Sequence, residues 1–188
     1  MKRSMMQTVF LLVFLLYPLC AGASVIQEKV YDICKYGAKG DGKTLNTNAI
    51  NSAIEYCAEN GGGTVLIPKG TFLSGTIYLK GNISHVLRIG AVLKGTADVS
   101  QYKSYTPLGN LSMFDSGGDG ENANSAIDPH WNRALILGVG VSNISIEGEG
   151  IIDGNHVFDS EGEENMRGPH TIIIAESRNI LMRGITLN

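Results

Sequence analysis

Cysteine, tryptophan and basic charge are what this 188-residue sequence has little of, with three cysteines, one tryptophan and 15 Lys and Arg against 18 Asp and Glu. No basic stripe runs along any segment, so neither nucleic acid nor an anionic membrane surface is the expected partner. No apolar run is long enough to span a bilayer comfortably. The four histidines, His85, His130, His156 and His170, show no zinc-ligand spacing, and no metal or other cofactor is expected. A serine nucleophile elbow is also missing, although sequence order alone leaves a Ser-His-Asp arrangement open. Gly148-Glu149-Gly150 lacks the third glycine and the following helix of a dinucleotide fingerprint. Helical periodicity is confined to one short segment, which excludes a doubly wound α/β sheet.

The N-terminus reads as a removable leader. Lys2 and Arg3 precede the apolar run Val9 to Leu19, and Ala21-Gly22-Ala23 offers small residues for cleavage before Ser24, so residues 1–23 are expected to be a signal peptide. A secreted or periplasmic protein follows from it. Cleavage removes two cations and leaves 13 basic against 18 acidic residues, a mildly acidic chain. Cys34 and Cys57 then remain. Export would let them pair, but spacing cannot supply the geometry a disulfide needs, and free buried thiols are the competing reading.

What is abundant is glycine, at 24 positions, which suits many tight turns and little helix. Short β-branched segments follow one another between Gly, Pro and Asn: Val30 to Tyr36, Thr64 to Ile67, Thr71 to Leu73, Thr76 to Leu79, His85 to Ile89 and Ala91 to Lys94. Ahead of most of them lies the helical segment, with Ile50, Ala53, Ile54 and Cys57 at i, i+3, i+4 and i+7. Asn46 is its expected N-cap, and Leu45 is placed to staple onto Ile50. Most telling is a repeat. The run from Ala134 recurs in the run from His170, so that Leu135-Ile136-Leu137 falls on Thr171-Ile172-Ile173, Asn143-Ile144 on Asn179-Ile180, and Gly148 on Gly184. Units too small to bury their own apolar residues must stack, which predicts a solenoid of β-coils with the helix as its N-terminal lid. Asn143 and Asn179 are expected at left-handed bends, where stacked amides would form a ladder. Asn82, Asn110 and Asn143 also head N-glycosylation sequons, which matter only in a glycosylating source.

Two irregular inserts interrupt the rhythm, Ser104 to Asn132 and Asn155 to Pro169. The first has a Gly-, Asp- and Asn-rich centre, Asp115 to Asn124, expected to be an exposed loop. Loops thrown from one side of a solenoid commonly carry its ligand contacts. In the second, Asp159, Glu161, Glu163 and Glu164 either hold an acid/base pair or form a solvated loop. Arg167 and His170 flank Gly168-Pro169 where that insert rejoins the stack, and they are the candidate substrate-binding residues. Arg167 has two readings, a fork onto a carboxylate ligand or a brace for the acidic loop.

One motif points elsewhere. Gly37 to Thr44 matches the phosphate-binding loop letter for letter, ending in Gly42-Lys43-Thr44 between a strand and a helix. A nucleotide enzyme would continue with alternating strands and helices, whereas this chain turns all-β. A turn whose glycines adopt positive φ is the reading adopted.

Tyr36 to Thr44, the helix, Gly61 to Phe72 and Gly148-x-Gly150-x-Ile152-Asp153-Gly154 together resemble the start of the pectin-degrading parallel β-helix proteins, specifically polygalacturonase-like glycoside hydrolase family 28. The first motifs are shared with pectate-lyase-like β-helices. The stretch Asp153 to His170 with Asn179-Ile180 and Gly184 to Leu187 looks more like bacterial family 28 members. The resemblance implies an all-β fold, a secreted right-handed parallel β-helix with one N-terminal capping helix, over residues 24–188. It implies a monomer when full length, hydrolysing α-linked galacturonate with inversion and without a metal, using two carboxyl groups about 6.5 to 9.5 Å apart. The family's Asn-Thr-Asp, Asp-Asp, Gly-His-Gly and Arg-x-Lys motifs do not occur here, so no catalytic residue is carried over. The expectation is therefore the N-terminal part of such an enzyme, truncated at its C-terminus and inactive alone. Its partner is a galacturonan polysaccharide. The alternatives are lyase-type β-elimination on the same scaffold, or a non-catalytic carbohydrate-binding β-helix.

Overall fold

The computed structural model describes residues 29–88, 90–109, 132–162 and 166–188. The expected leader, the loop centre Asp115 to Asn124, the sequon at Asn110, His130, and Glu163 and Glu164 lie outside the described residues.

Short strands separated by left-handed bends give three parallel sheets instead of hairpins. The chain enters at β1 (Val30–Asp32) and β2 (Asp41–Leu45), then passes through α1 (Thr47–Glu59). One coil is β3 (Gly63–Ile67), β4 (Gly70–Ser74) and β5 (Ile77–Tyr78). The next is β6 (Ile83–Leu87), β7 (Ala91–Gly95) and, after an insert holding β8 (Lys103–Ser104), β9 (Arg133–Val139). Then come β10 (Ser142–Gly148), β11 (Ile151–Asp153) and β12 (His170–Ala175), followed by β13 (Arg178–Arg183) and β14 (Thr186–Leu187). Equivalent strands of successive coils pair in parallel as β1-β3-β6-β10-β13, β14-β11-β7-β4-β2 and β12-β9-β5. This is a parallel β-helix, right-handed as parallel crossovers are.

Stacking in register builds the core. Phe72, Leu93, Ile152 and Leu187 lie one above another, as do Ile77, Ile136 and Ile172. The sequence repeat is also the structural one: residues 36 apart pair from Ala134 with His170 through Glu147 with Arg183. Beyond Gly148 and Gly184 the register slips by one residue, and Ile151 faces Thr186. Asn82, Asn143 and Asn179 all adopt left-handed φ, at 62°, 57° and 56°. Asn143 Nδ2 donates to Asn82 Oδ1 at 3.0 Å and Asn179 Nδ2 to Asn143 Oδ1 at 2.9 Å, so the expected ladder is present and extends one coil earlier.

The helix buries the expected face, Ile50, Ala53, Ile54 and Cys57. Its N-terminus differs from expectation. Asn46 sits at the cap position but makes no side-chain cap bond. Its buried amide instead accepts from Lys39 N and donates to the carbonyls of Lys39, Thr44 and Leu73, because the glycine-rich loop offers it more partners than the helix amides do. Leu45 remains 45% exposed, so the staple does not form. The lid works through Asn51: its Nδ2 donates to Thr76 O and its Oδ1 accepts from Tyr78 N, both at 2.9 Å. That side chain imitates a neighbouring strand at the otherwise unpaired edge of β5.

The strand expected from Val30 to Tyr36 is cut short. Asp32 accepts from Cys34 N, Ile33–Tyr36 coil into a 3-10 turn, and Gly37 at φ 97° closes it. Cys34 is exposed, Cys57 is buried, and both are free thiols.

Candidate functional site

Both long inserts leave the stack at one seam, after β7 and after β11, and both return through the strands that pair as β9 and β12; the first insert therefore begins just past Gly95, ahead of the expected Ser104. They meet over an open cavity of about 570 Å³. Ser100, Tyr102 and Lys103 line it from the first insert, Arg133 at the start of β9 forms its floor, and Phe158, Asp159 and Glu161 close it from the second.

Each wall is held by specific bonds. Asp98 accepts from the backbone N–H and hydroxyl of Ser100, which turns the first insert sharply and holds the Asp98 carboxyl below the usual range; the side-chain bonds from Ser100 and Gln101 dominate. Tyr102 is buried, and its hydroxyl donates to Thr96 O at 2.7 Å. Burial, with Asp153 nearby, pushes its phenol up to about 12, so it stays a neutral donor. Thr76 Oγ1 donates to Ala134 O and accepts from Lys103 N, tying the insert to two coils. Farther along, Glu176, itself at φ 52°, accepts from Leu108 N at 2.7 Å and Gly109 N at 2.8 Å.

Asp159 anchors the second insert. Its Oδ2 accepts from Arg133 Nη1 at 2.9 Å, its Oδ1 from Glu161 N at 2.9 Å, and its backbone N–H donates to Met166 O. With side-chain exposures of 18% for Arg133 and 8% for Asp159, the pair is the most enclosed of the described ion pairs. In its described part the acidic insert is thus not a fully solvated loop: Asp159 is a buried anchor, while Glu161 is exposed.

Of the two candidate substrate-binding residues, Arg167 forms an isolated antiparallel bridge with Phe158, and His170 opens β12 opposite Ala134. The fold therefore brings both beside the cavity, without either lining it. Arg133, a residue that sequence alone does not single out, braces Asp159 of the acidic loop, 26 residues after it. Only the stacking of β9 under β12 makes that visible.

Lys103 and Arg133 balance Asp159 and Glu161, Ser100 and Ser160 add hydroxyl groups, and Phe158 is 65% exposed beside them. Walls of mixed polarity, with charged groups beside one flat ring, suit a hydroxyl-rich cyclic ligand. Among the described residues no cluster of three or more His, Cys, Asp or Glu is disposed to hold a metal ion.

The glycine-rich loop is a different case. Asp41 accepts from Lys43 N, Thr44 N and Thr44 Oγ1 at 2.7 to 2.9 Å. These bonds lower its carboxyl to about 2. The amides that would cradle a phosphate already hold an anion, and the helix begins only at Thr47.

The model of the family described as rhamnogalacturonase A/epimerase, pectate lyase-like matches residues 30–180. An exo-poly-alpha-D-galacturonosidase of Dickeya chrysanthemi is 38% identical over 128 residues, covering 68% of this chain and 20% of that protein. A family 28 exopolygalacturonase of Yersinia enterocolitica superimposes with a TM-score of 0.61 at 23% identity, over 85% of this chain and 35% of that one. A hyperthermoactive exopolygalacturonase of Thermotoga maritima gives 0.62 at 21% identity, over 85% and 41%. These two solved structures share the coil architecture described above. The chain spans about a fifth of the length of the curated relatives it matches first.

Proposed function

The chain belongs to the rhamnogalacturonase A/epimerase, pectate lyase-like family, and from that premise we propose that it is part of an enzyme that hydrolyses galacturonan, the polysaccharide of pectin. The observation that carries the reading is the 38% identity over 128 residues to an exo-poly-alpha-D-galacturonosidase. The cavity where the two inserts meet supports it, since it offers hydroxyls, balanced charge and an exposed ring to a sugar. In this reading the inserts wall a cleft that receives the polysaccharide, with Arg167 and His170 along its rim.

Turnover is assigned to the full-length protein and binding alone to these 188 residues, because the family's acid and base motifs do not occur in them. The mechanism is direct attack of water with inversion, one carboxylic acid protonating the leaving oxygen while a carboxylate activates the water. Residues 1–23 direct export, residues 24–188 form part of one β-helix domain, and the full-length protein acts as a secreted or periplasmic monomer without a cofactor. Among the described residues no helix is long and apolar enough to cross a membrane.

The test uses polygalacturonate with the chain and with the full-length protein. The expected result is retention by the chain without new reducing ends, and saturated products with reducing ends from the full-length protein. A calcium-dependent rise in ultraviolet absorbance from an unsaturated product would replace the hydrolase by a lyase. Retention without turnover by the full-length protein would leave a carbohydrate-binding β-helix.

A further inference from the structure

One polar group inside the stack has no role in that cleft. His85 of β6 points inward, in register between Val65 and Ile146, where an aliphatic side chain would continue the row. It is 5% exposed. Its Nδ1 lies 3.3 Å from Ser145 O, and since a carbonyl only accepts, Nδ1 carries the proton. Nε2 is therefore a bare acceptor, buried and without a partner among the described residues.

The surroundings give Nε2 no means of being charged. Beside the ring is a void of about 20 Å³, close to the volume of a single water centre. Besides His85 itself, its walls are Ile50 and Ile54 of α1, Leu79 just past β5, and aliphatic side chains of β3, β5, β6, β7, β9 and β10, with no other titratable or charged group among them. A water there would find one hydrogen-bond partner instead of the two to four that hold buried waters. A proton on Nε2 would create a cation with neither counter-ion nor solvent.

We propose that His85 is an acid release for the lid: in acid the ring takes up a proton only when α1 lifts from the first coils, so protonation and opening are one event. Desolvation by burial holds the imidazole down at about 4, against 6.5 for an ordinary histidine, with the Ser145 carbonyl opposing weakly. The sign follows: the unfolded or opened chain binds the proton from pH 6.5 downwards while the closed one refuses it until about 4. Stability is therefore complete above 6.5 and falls through that window. The closed-to-open ratio drops by up to about tenfold per pH unit, roughly 300-fold across the window. This device is independent of the polysaccharide reading, since neither His85 nor the void touches the cleft.

The experiment compares the chain with His85→Leu by urea unfolding at intervals between pH 7.5 and 4, together with amide exchange at pH 7 and 5. The expected result is a steep acid loss in the parent that is largely removed in the variant, with α1 and β6 exchanging faster at pH 5 only in the parent. Should the leucine variant not fold, His85→Gln keeps a donor for Ser145 O, cannot titrate, and serves the same comparison. Parallel pH profiles for parent and variant would overturn the proposal. So would an NMR titration of His85 near 6.5 with α1 still protected.

Discussion

Removing Arg133 is the perturbation that most directly probes the cleft, because it leaves the Asp159 carboxylate enclosed with a single remaining donor among the described residues, Glu161 N. At 2.9 Å the pair attraction is about 6 kcal/mol for an effective dielectric near 20. Much of that offsets the desolvation of both ions, so the net value of keeping the pair is small. The cost of breaking it is not, since an uncompensated buried charge typically loses 3–5 kcal/mol. Arg133→Met is expected to cost about 3 kcal/mol in urea unfolding. Asp159→Asn should cost about 1–2 kcal/mol, because its amide oxygen can still accept from Glu161 N. The double variant Arg133→Met with Asp159→Asn is expected to be less damaging than the first single change, since neither side chain then leaves a charge enclosed. The resulting cycle should give a coupling of about 2 kcal/mol or more, little altered by added salt. An Arg133→Met chain within about 0.5 kcal/mol of the parent, or additive single effects, would refute the view that this pair anchors the second insert.

Other outcomes follow from the same geometry. Asp41→Asn is expected to remove a loss of stability that the parent shows in strong acid. The Asp41 carboxyl is held at about 2 against 3.8, so its contribution is complete above 3.8 and lost as pH falls through about 2, which unfolding below pH 4 would detect. Phosphate titration should give no saturable signal in the parent, because Asp41 occupies those amides. Asn143→Gly keeps the left-handed bend and loses only the ladder, about 1 kcal/mol, whereas Asn143→Ala adds roughly another 1–2 kcal/mol of backbone strain; thermal unfolding of both separates the two terms. Gly148→Ala places a methyl group against Leu87 O at φ 125° and is expected to prevent accumulation of soluble chain. Phe158→Ala and Lys103→Ala should each weaken retention on polygalacturonate with unfolding midpoints nearly unchanged, as both side chains face the cavity.

The coils were legible because their signals are local and repeated. A β-branched run, an Asn and a Gly recur at fixed spacing, and Asn143 over Asn179 needs nothing beyond that spacing. The helix face was legible for the same reason. Its cap was not, because Asn46 chooses among partners as distant as Leu73. Nor was β2, whose pairing with β4 is set by a neighbour across the intervening helix. At the site, the sequence located both inserts and the rejoining point at Arg167 and His170. It could not show that Arg133 would find Asp159, or that His85 would face inward, since both depend on which strands stack. The phosphate-loop match misleads for a related reason: the pattern registers Gly, Lys and Thr, while Asp41 at an unconstrained position fills the site.

The common seam also determines how such a chain can vary. One coil takes 61 residues from Asn82 to Asn143 and the next takes 36 from Asn143 to Asn179, yet both rejoin the same amide ladder. Loop-closure entropy grows only logarithmically, so a difference of that size costs roughly 0.5 kcal/mol. Whole loops can therefore be exchanged at this edge while the prism beneath keeps its pitch, and a change of ligand preference need not disturb what keeps the protein folded.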